Sequence, residues 1–164
     1  MNEVADIEVV RDGERWTLVF ARDLPQPPVE VWRALTDPER LRAWAPYTAD
    51  RDLGATGPAT LTMTDREGGD AIAIDVTTAD APRTLEHTWG GDVLRWELAP
   101  AGTGTRLTLR HTVDERAGTP GYAAGWHLCL AVLAGELPGP VVGERAKEFG
   151  WDALRDSYAA ALGA

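Results

Sequence analysis

One cysteine in 164 residues, Cys129, excludes an intramolecular disulfide framework. No apolar run approaches the length that crosses a bilayer. The opening MNEVADIEVV lacks the basic segment and apolar stretch of a secretory leader. These absences lead to the expectation of a cytoplasmic protein with no membrane partner. Lysine and arginine form no cluster, and 16 basic against 26 acidic residues leave a net charge of −10. Such a field repels a phosphate backbone, so nucleic acid is not an expected partner, and anionic membrane surfaces are disfavoured for the same reason. The three histidines show no HxxxH or HExxH spacing, so no metal is expected. The glycines form no GxGxxG or Walker pattern, and Gly102-Thr103-Gly104 reads as a hairpin turn, so no cofactor is expected. No repeat, low-complexity tract or linker divides the chain, which is read as one domain over 1–164.

What is present is apolar and aromatic: 44% hydrophobic residues and seven tryptophans. The stretch Thr119–Leu137 organises the reading. Tyr122, Trp126, Cys129, Leu130, Leu133 and Leu137 recur at spacings of three and four, which places them on one helical face. Thr119-Pro120 supplies an expected N-cap and first-turn proline, and Pro138-Gly139-Pro140 an expected stop.

Upstream the pattern is mostly that of strands. Ile7–Val10 reads as an edge strand or a ragged start, and Arg15–Arg22 alternates Trp16, Leu18 and Phe20 against smaller residues. Prolines at 25, 27 and 28 end that strand and open a short helix, Val29–Leu35. Asp37-Pro38 starts a second, Pro38–Trp44, which should end before Pro46. Five strand-like runs follow: Ala59–Thr64, Ala71–Thr77, Thr84–Trp89, Val93–Leu98 and Thr105–Val113. The turns between them include Arg66–Gly69 and the hairpin signal Gly90-Gly91-Asp92. Each run has one apolar and one wet face, as in an antiparallel sheet covered on one side. After the PGP break, Val141–Phe149 reads as a short helix. Trp151, Leu154, Tyr158 and Leu162 mark a closing amphipathic one. The sum is an α+β chain: a curved antiparallel sheet of six or seven strands, two short helices after the first strand, and a long helix across the concave face. A gap near the short helices is expected to form a cavity.

The phrases TDPERLRAWAP (Thr36–Pro46), PRTLEHTW (Pro82–Trp89) and the helix opening on Gly125-Trp126, in that order, resemble the START-like helix-grip superfamily. Within it they are most similar to the branch named after the activator of Hsp90 ATPase homologue, over about Arg15 to Leu137. The resemblance implies a curved sheet gripping a helix around an apolar cavity. Its functions include lipid and hormone binding, polyketide cyclisation and co-chaperone activity. The co-chaperone carries a further N-terminal domain that this chain is too short to contain, so an activator role is not expected.

Within that frame the expected ligand wall comprises Trp44, Tyr47, Met63, Ile74, His87, Trp89, Trp96, His111, Trp126, His127 and Leu130. Alternation puts His87 and His111 on the inner sheet face and His127 beside the helix stripe. A structural histidine and a ligand-contacting acid or base are both open readings. Trp44 and Tyr47 are placed at the cavity mouth, whereas Trp16, Trp32 and Trp151 read as core. Cys129 reads as an inert buried thiol. Asp75, Glu86 and Glu97 fall on the outer face, and Asp65, Glu67 and Asp70 in a turn, so spacing places no catalytic carboxylate pair. The leading expectation is a small hydrophobic ligand held between sheet and helix by a monomer or homodimer. Burying roughly 300 Å² of it offers about 7 kcal/mol gross, enough for micromolar binding. A cyclase- or dehydratase-like enzyme acting on a polyketide-type substrate through a cavity histidine, and a protein-interaction or co-chaperone-like module, are the alternatives.

Overall fold

The computed structural model describes residues 6–64 and 69–163. The expected turn positions Asp65, Arg66 and Glu67 lie outside the described residues. The strands are β1 (Asp6–Asp12), β2 (Arg15–Leu24), β3 (Tyr47–Ala49), β4 (Gly57–Met63), β5 (Ala71–Asp80), β6 (Thr84–Trp89), β7 (Asp92–Ala101) and β8 (Gly104–Val113). They form one antiparallel sheet of eight strands in the order β1-β2-β8-β7-β6-β5-β4-β3. Helices α1 (Pro28–Thr36) and α2 (Pro38–Trp44) precede β3. After β8 a 3-10 turn, Arg116–Gly118, leads into α3 (Thr119–Leu133), α4 (Glu144–Glu148) and α5 (Trp151–Leu162). The result is the helix-grip architecture.

The sheet has eight strands rather than six or seven. Ile7–Val10 belongs to a true edge strand, paired with β2. The strand that the sequence pattern misses is β3, whose three residues are too few to show alternation; it pairs Tyr47 with Met63 and Ala49 with Leu61. A bulge at Thr77 shifts the β5–β6 register between Val76 and Thr78. Bulges bend a strand and increase its twist, which helps the sheet curl.

The short helices follow their start signals. The Asp37 carboxylate accepts from the Glu39 N–H at 3.0 Å, with Pro38 in the first turn. Helix α3 departs from expectation at both ends. Its cap position is Gly118, while Thr119 is fully buried in the first turn and its hydroxyl donates to Arg116 O at 2.7 Å. It ends four residues early. Gly135 adopts φ +82, its N–H reaches Val132 O at 3.0 Å, and the Glu136 N–H reaches Ala131 O at 2.9 Å. This is the Schellman arrangement, which uses glycine because a Cβ disfavours that backbone region. The PGP segment therefore lies beyond the stop and serves as a strap. A Cβ on Gly139 would collide with Val132 Cγ1 and with Ala43 O, so the chain is pressed between the ends of α3 and α2.

Nor is α3 apolar on one face only. Ala123, Ala124, Leu128 and Ala131 are buried along with Trp126, Cys129 and Leu130, because α5 and β2 also pack on this helix. Tyr122, assigned to the inward stripe, is 39% exposed.

Candidate functional site

The space between the sheet and α3 is filled by side chains. Trp96 meets Trp126 edge-on with ring centroids 5.4 Å apart, and Trp44 meets Trp96 edge-on at 5.8 Å. Leu85, Leu94, Leu109 and Leu130 around them are fully buried. Trp44 and Tyr47 are therefore core residues and not a cavity mouth, at 2% and 1% exposure. The Trp44 indole N–H donates to Ala34 O at 2.9 Å, which ties α2 to α1.

The open space lies on the flank of α3. A groove of about 330 Å³ runs along Gly121, Tyr122, Gly125, Trp126 and Cys129. Spacings of three and four put those residues on one stripe. Its opposite wall is the chain after the strap, Val141 to Gly143, followed by Ala146 and Lys147 of α4. Trp151, Pro46 and Trp89 complete it. Two glycines deepen the floor. A Cβ on Gly121 would touch the Trp151 ring at 3.4 Å, and one on Gly125 would meet nothing within 4 Å.

Of the eleven expected wall residues, Trp89 and Trp126 line this groove. Ile74, His87, Trp96, His111 and Leu130 are buried in the core with Trp44 and Tyr47. Met63 is partly buried beside Tyr47 at the β3 edge. His127 is half-buried on another flank, with Nδ1 2.7 Å from the Tyr158 hydroxyl. Residues that the sequence reading did not assign to the site include Gly121, Gly125, Val141 and Lys147. Trp151, read as core, lies on the groove wall. The signal that could have found the floor is the pair of helix-interior glycines four apart.

Each of the three histidines has a ring nitrogen within hydrogen-bond distance of a protein group. The Trp126 indole N–H donates to His111 Nδ1 at 3.1 Å, and His111 Nε2 lies 2.8 Å from Asp92 Oδ2. An indole N–H can only donate, so Nδ1 accepts and the His111 proton sits on Nε2, facing the carboxylate. Tyr122 covers the same imidazole, ring centroids 4.5 Å apart. His87 Nδ1 lies 2.8 Å from Thr88 O, an acceptor only, so that nitrogen carries the proton. His87 Nε2 and the Trp89 and Trp96 indole nitrogens are buried without a hydrogen-bond partner among the described residues. Burial pushes the His87 imidazole below its ordinary pKa. It does the same to His127, helped by the Arg22 charge.

Around the groove, burial pushes the Cys129 thiol up to about 12, so it stays protonated at neutral pH. Burial, and then the nearby Asp92 carboxylate, raise the Tyr122 phenol. On the far side of the sheet, where they were expected, Glu86 and Glu97 are held in ion pairs. Arg95 binds both, at 3.3 and 3.1 Å, and Arg110 binds Glu97 at 3.0 Å. Burial pushes the Glu97 carboxyl up, but the two arginines outweigh it and hold it below the usual range. Among the described residues, no group of three or more His, Cys, Asp or Glu is placed to hold a metal ion. No helix there is long and apolar enough to cross a membrane.

Residues 25–137, more than half of the chain, match the family described as Activator of Hsp90 ATPase homolog 1-like protein. The chain belongs to that family. Solved structures agree on the fold. CalU16 from Micromonospora echinospora superimposes with a TM-score of 0.70 at 18% identity, covering 98% of each chain. EF2215 from Enterococcus faecalis gives 0.72 at 18% identity over 94% of this chain and 89% of that one. MLL2253 from Mesorhizobium loti is 26% identical over 73% of this chain and 95% of that chain, with a TM-score of 0.63. No curated protein matches the sequence. The family match ends at residue 137, whereas the groove's outer wall, from Val141 to Trp151, lies beyond it. Family membership thus accounts for the grip of sheet on helix, and the groove depends in large part on the chain that follows.

Proposed function

We propose that this protein binds a small apolar ligand, aromatic or acyl in character, in the groove on the flank of α3. The observation that carries the reading is Gly125. It sits inside a helix, where glycine costs up to about 1 kcal/mol relative to alanine. A Cβ there would touch nothing within 4 Å, so packing gives no reason for the missing side chain. What the glycine preserves is depth in a groove walled by Trp89, Trp126 and Trp151. A volume near 330 Å³ lies at the lower end of small-molecule sites, and aromatic walls offer stiff contact to flat or greasy ligands.

A cyclase or dehydratase built on a histidine needs one facing that space. His87 and His111 have no exposure, and His127 is turned toward Tyr158, which weighs against that reading. The co-chaperone reading needs an exposed apolar face. The large exposed hydrophobics among the described residues, Val10, Val29 and Tyr122, sit on three separate elements.

The test is titration with the neutral fluorophore phenylnaphthylamine, following probe emission and tryptophan quenching. Binding in the micromolar range that Gly125→Leu abolishes, with the fold intact by circular dichroism, supports the proposal. Equal binding by both proteins removes it.

A further inference from the structure

Lys147 is the only lysine in the chain; the other 15 basic residues are arginines. Among the described residues it is also the only charged one lining the groove. In a sequence with 26 acidic residues against 16 basic ones, the single charge at this apolar site has the sign opposite to the net charge. Among the described residues no carboxylate lines the groove beside it.

The neighbouring cations are engaged. The Arg145 guanidinium lies 5.2 Å from the centre of the Phe149 ring, and that of Arg155 lies 5.4 Å from Trp151. Lys147 is exposed, and among the described residues it has no ion pair. A lysine beside an apolar wall lays its methylene stem along that wall and keeps its ammonium at the water edge. An amphipathic ligand with its body in the groove would bring its head group to that edge. The other polar side-chain groups of the lining favour an acceptor too. The Trp126 indole N–H is already given to His111, but that of Trp89 has no partner among the described residues and can only donate. The Tyr122 phenol, raised by burial and by Asp92, stays protonated at neutral pH.

From this arrangement we infer that the ligand is an amphipathic anion, an apolar body ending in a carboxylate or similar oxyanion that pairs with Lys147 at the groove mouth. The inference rests on the groove being the ligand site, and it names the chemistry of what that site takes. The ammonium is exposed, so its contribution is modest and salt-sensitive.

The experiment compares two probes with the same aromatic body, anilinonaphthalene sulfonate and neutral phenylnaphthylamine, on wild type, Lys147→Gln, Lys147→Arg and Gly125→Leu. Lys147→Gln should weaken the sulfonate by about two- to fivefold and leave the neutral probe unchanged. Lys147→Arg should restore most of the loss, and added salt should shrink the difference. If Lys147→Gln changes both probes alike, or neither, the anion inference is overturned while the groove stands. If Gly125→Leu leaves both probes bound, the groove reading itself fails and this inference falls with it.

Discussion

The Trp126 indole N–H donates to Nδ1 of His111 across 3.1 Å, joining the middle of α3 to the inner face of β8. Because His111 also meets Asp92, the chain Trp126–His111–Asp92 crosses from helix to sheet to the hairpin at Gly90-Gly91. Trp126→Phe keeps most of the ring but leaves a buried acceptor unpartnered. The expected loss is about 1–3 kcal/mol. Urea denaturation of the two proteins measures it, and an unchanged midpoint would mean that the bond does not hold the helix in place.

Gly125→Ala separates stability from binding. Removing a helix-interior glycine where the new methyl meets only open space should stabilise the protein by about 0.5–1 kcal/mol. The same methyl narrows the groove, so phenylnaphthylamine should bind more weakly. Thermal denaturation alongside the titration reads both effects. A destabilised variant would mean that the space beside Gly125 is not open.

Stability should fall in mild acid. His87 and His127 both have folded-state pKa values below the ordinary value of 6.5, His87 through burial and His127 through burial and the Arg22 charge. The unfolded chain then takes up protons near pH 6.5 that the folded chain resists. The stability they contribute is present above that pH and is lost as pH falls below it. Melting temperature should drop between about pH 7.5 and about pH 5.5, and His87→Leu should flatten the slope. An equal slope in the variant would assign the effect to other groups.

Much of the fold was legible in the sequence because its signals are local. Asp37-Pro38 started a helix, Gly90-Gly91 turned a hairpin, and alternation placed Leu85, His87 and Trp89 on one face. The site was less legible because it depends on volumes. Periodicity put Trp96 on the inner sheet face and Leu130 on the stripe of α3 that faces it, but it could not show that these side chains, with Trp44, fill the space between sheet and helix. Trp151 read as core because an aromatic on an amphipathic helix usually is. Only its position opposite Gly121 makes it a groove wall. The stop at Gly135 was hidden by the louder PGP signal three residues on, and with it the strap that carries Val141 to the groove.

The most direct measurement is a proton–nitrogen correlation spectrum of the indole N–H groups, recorded while phenylnaphthylamine is added. Of the seven tryptophans, Trp89, Trp126 and Trp151 line the groove, and Trp44 and Trp96 are buried in the core. A ligand in the groove should shift the first three and leave Trp44 and Trp96 in place. Shifts centred on Trp44 and Trp96 would put the ligand between sheet and helix instead, and would contradict the account.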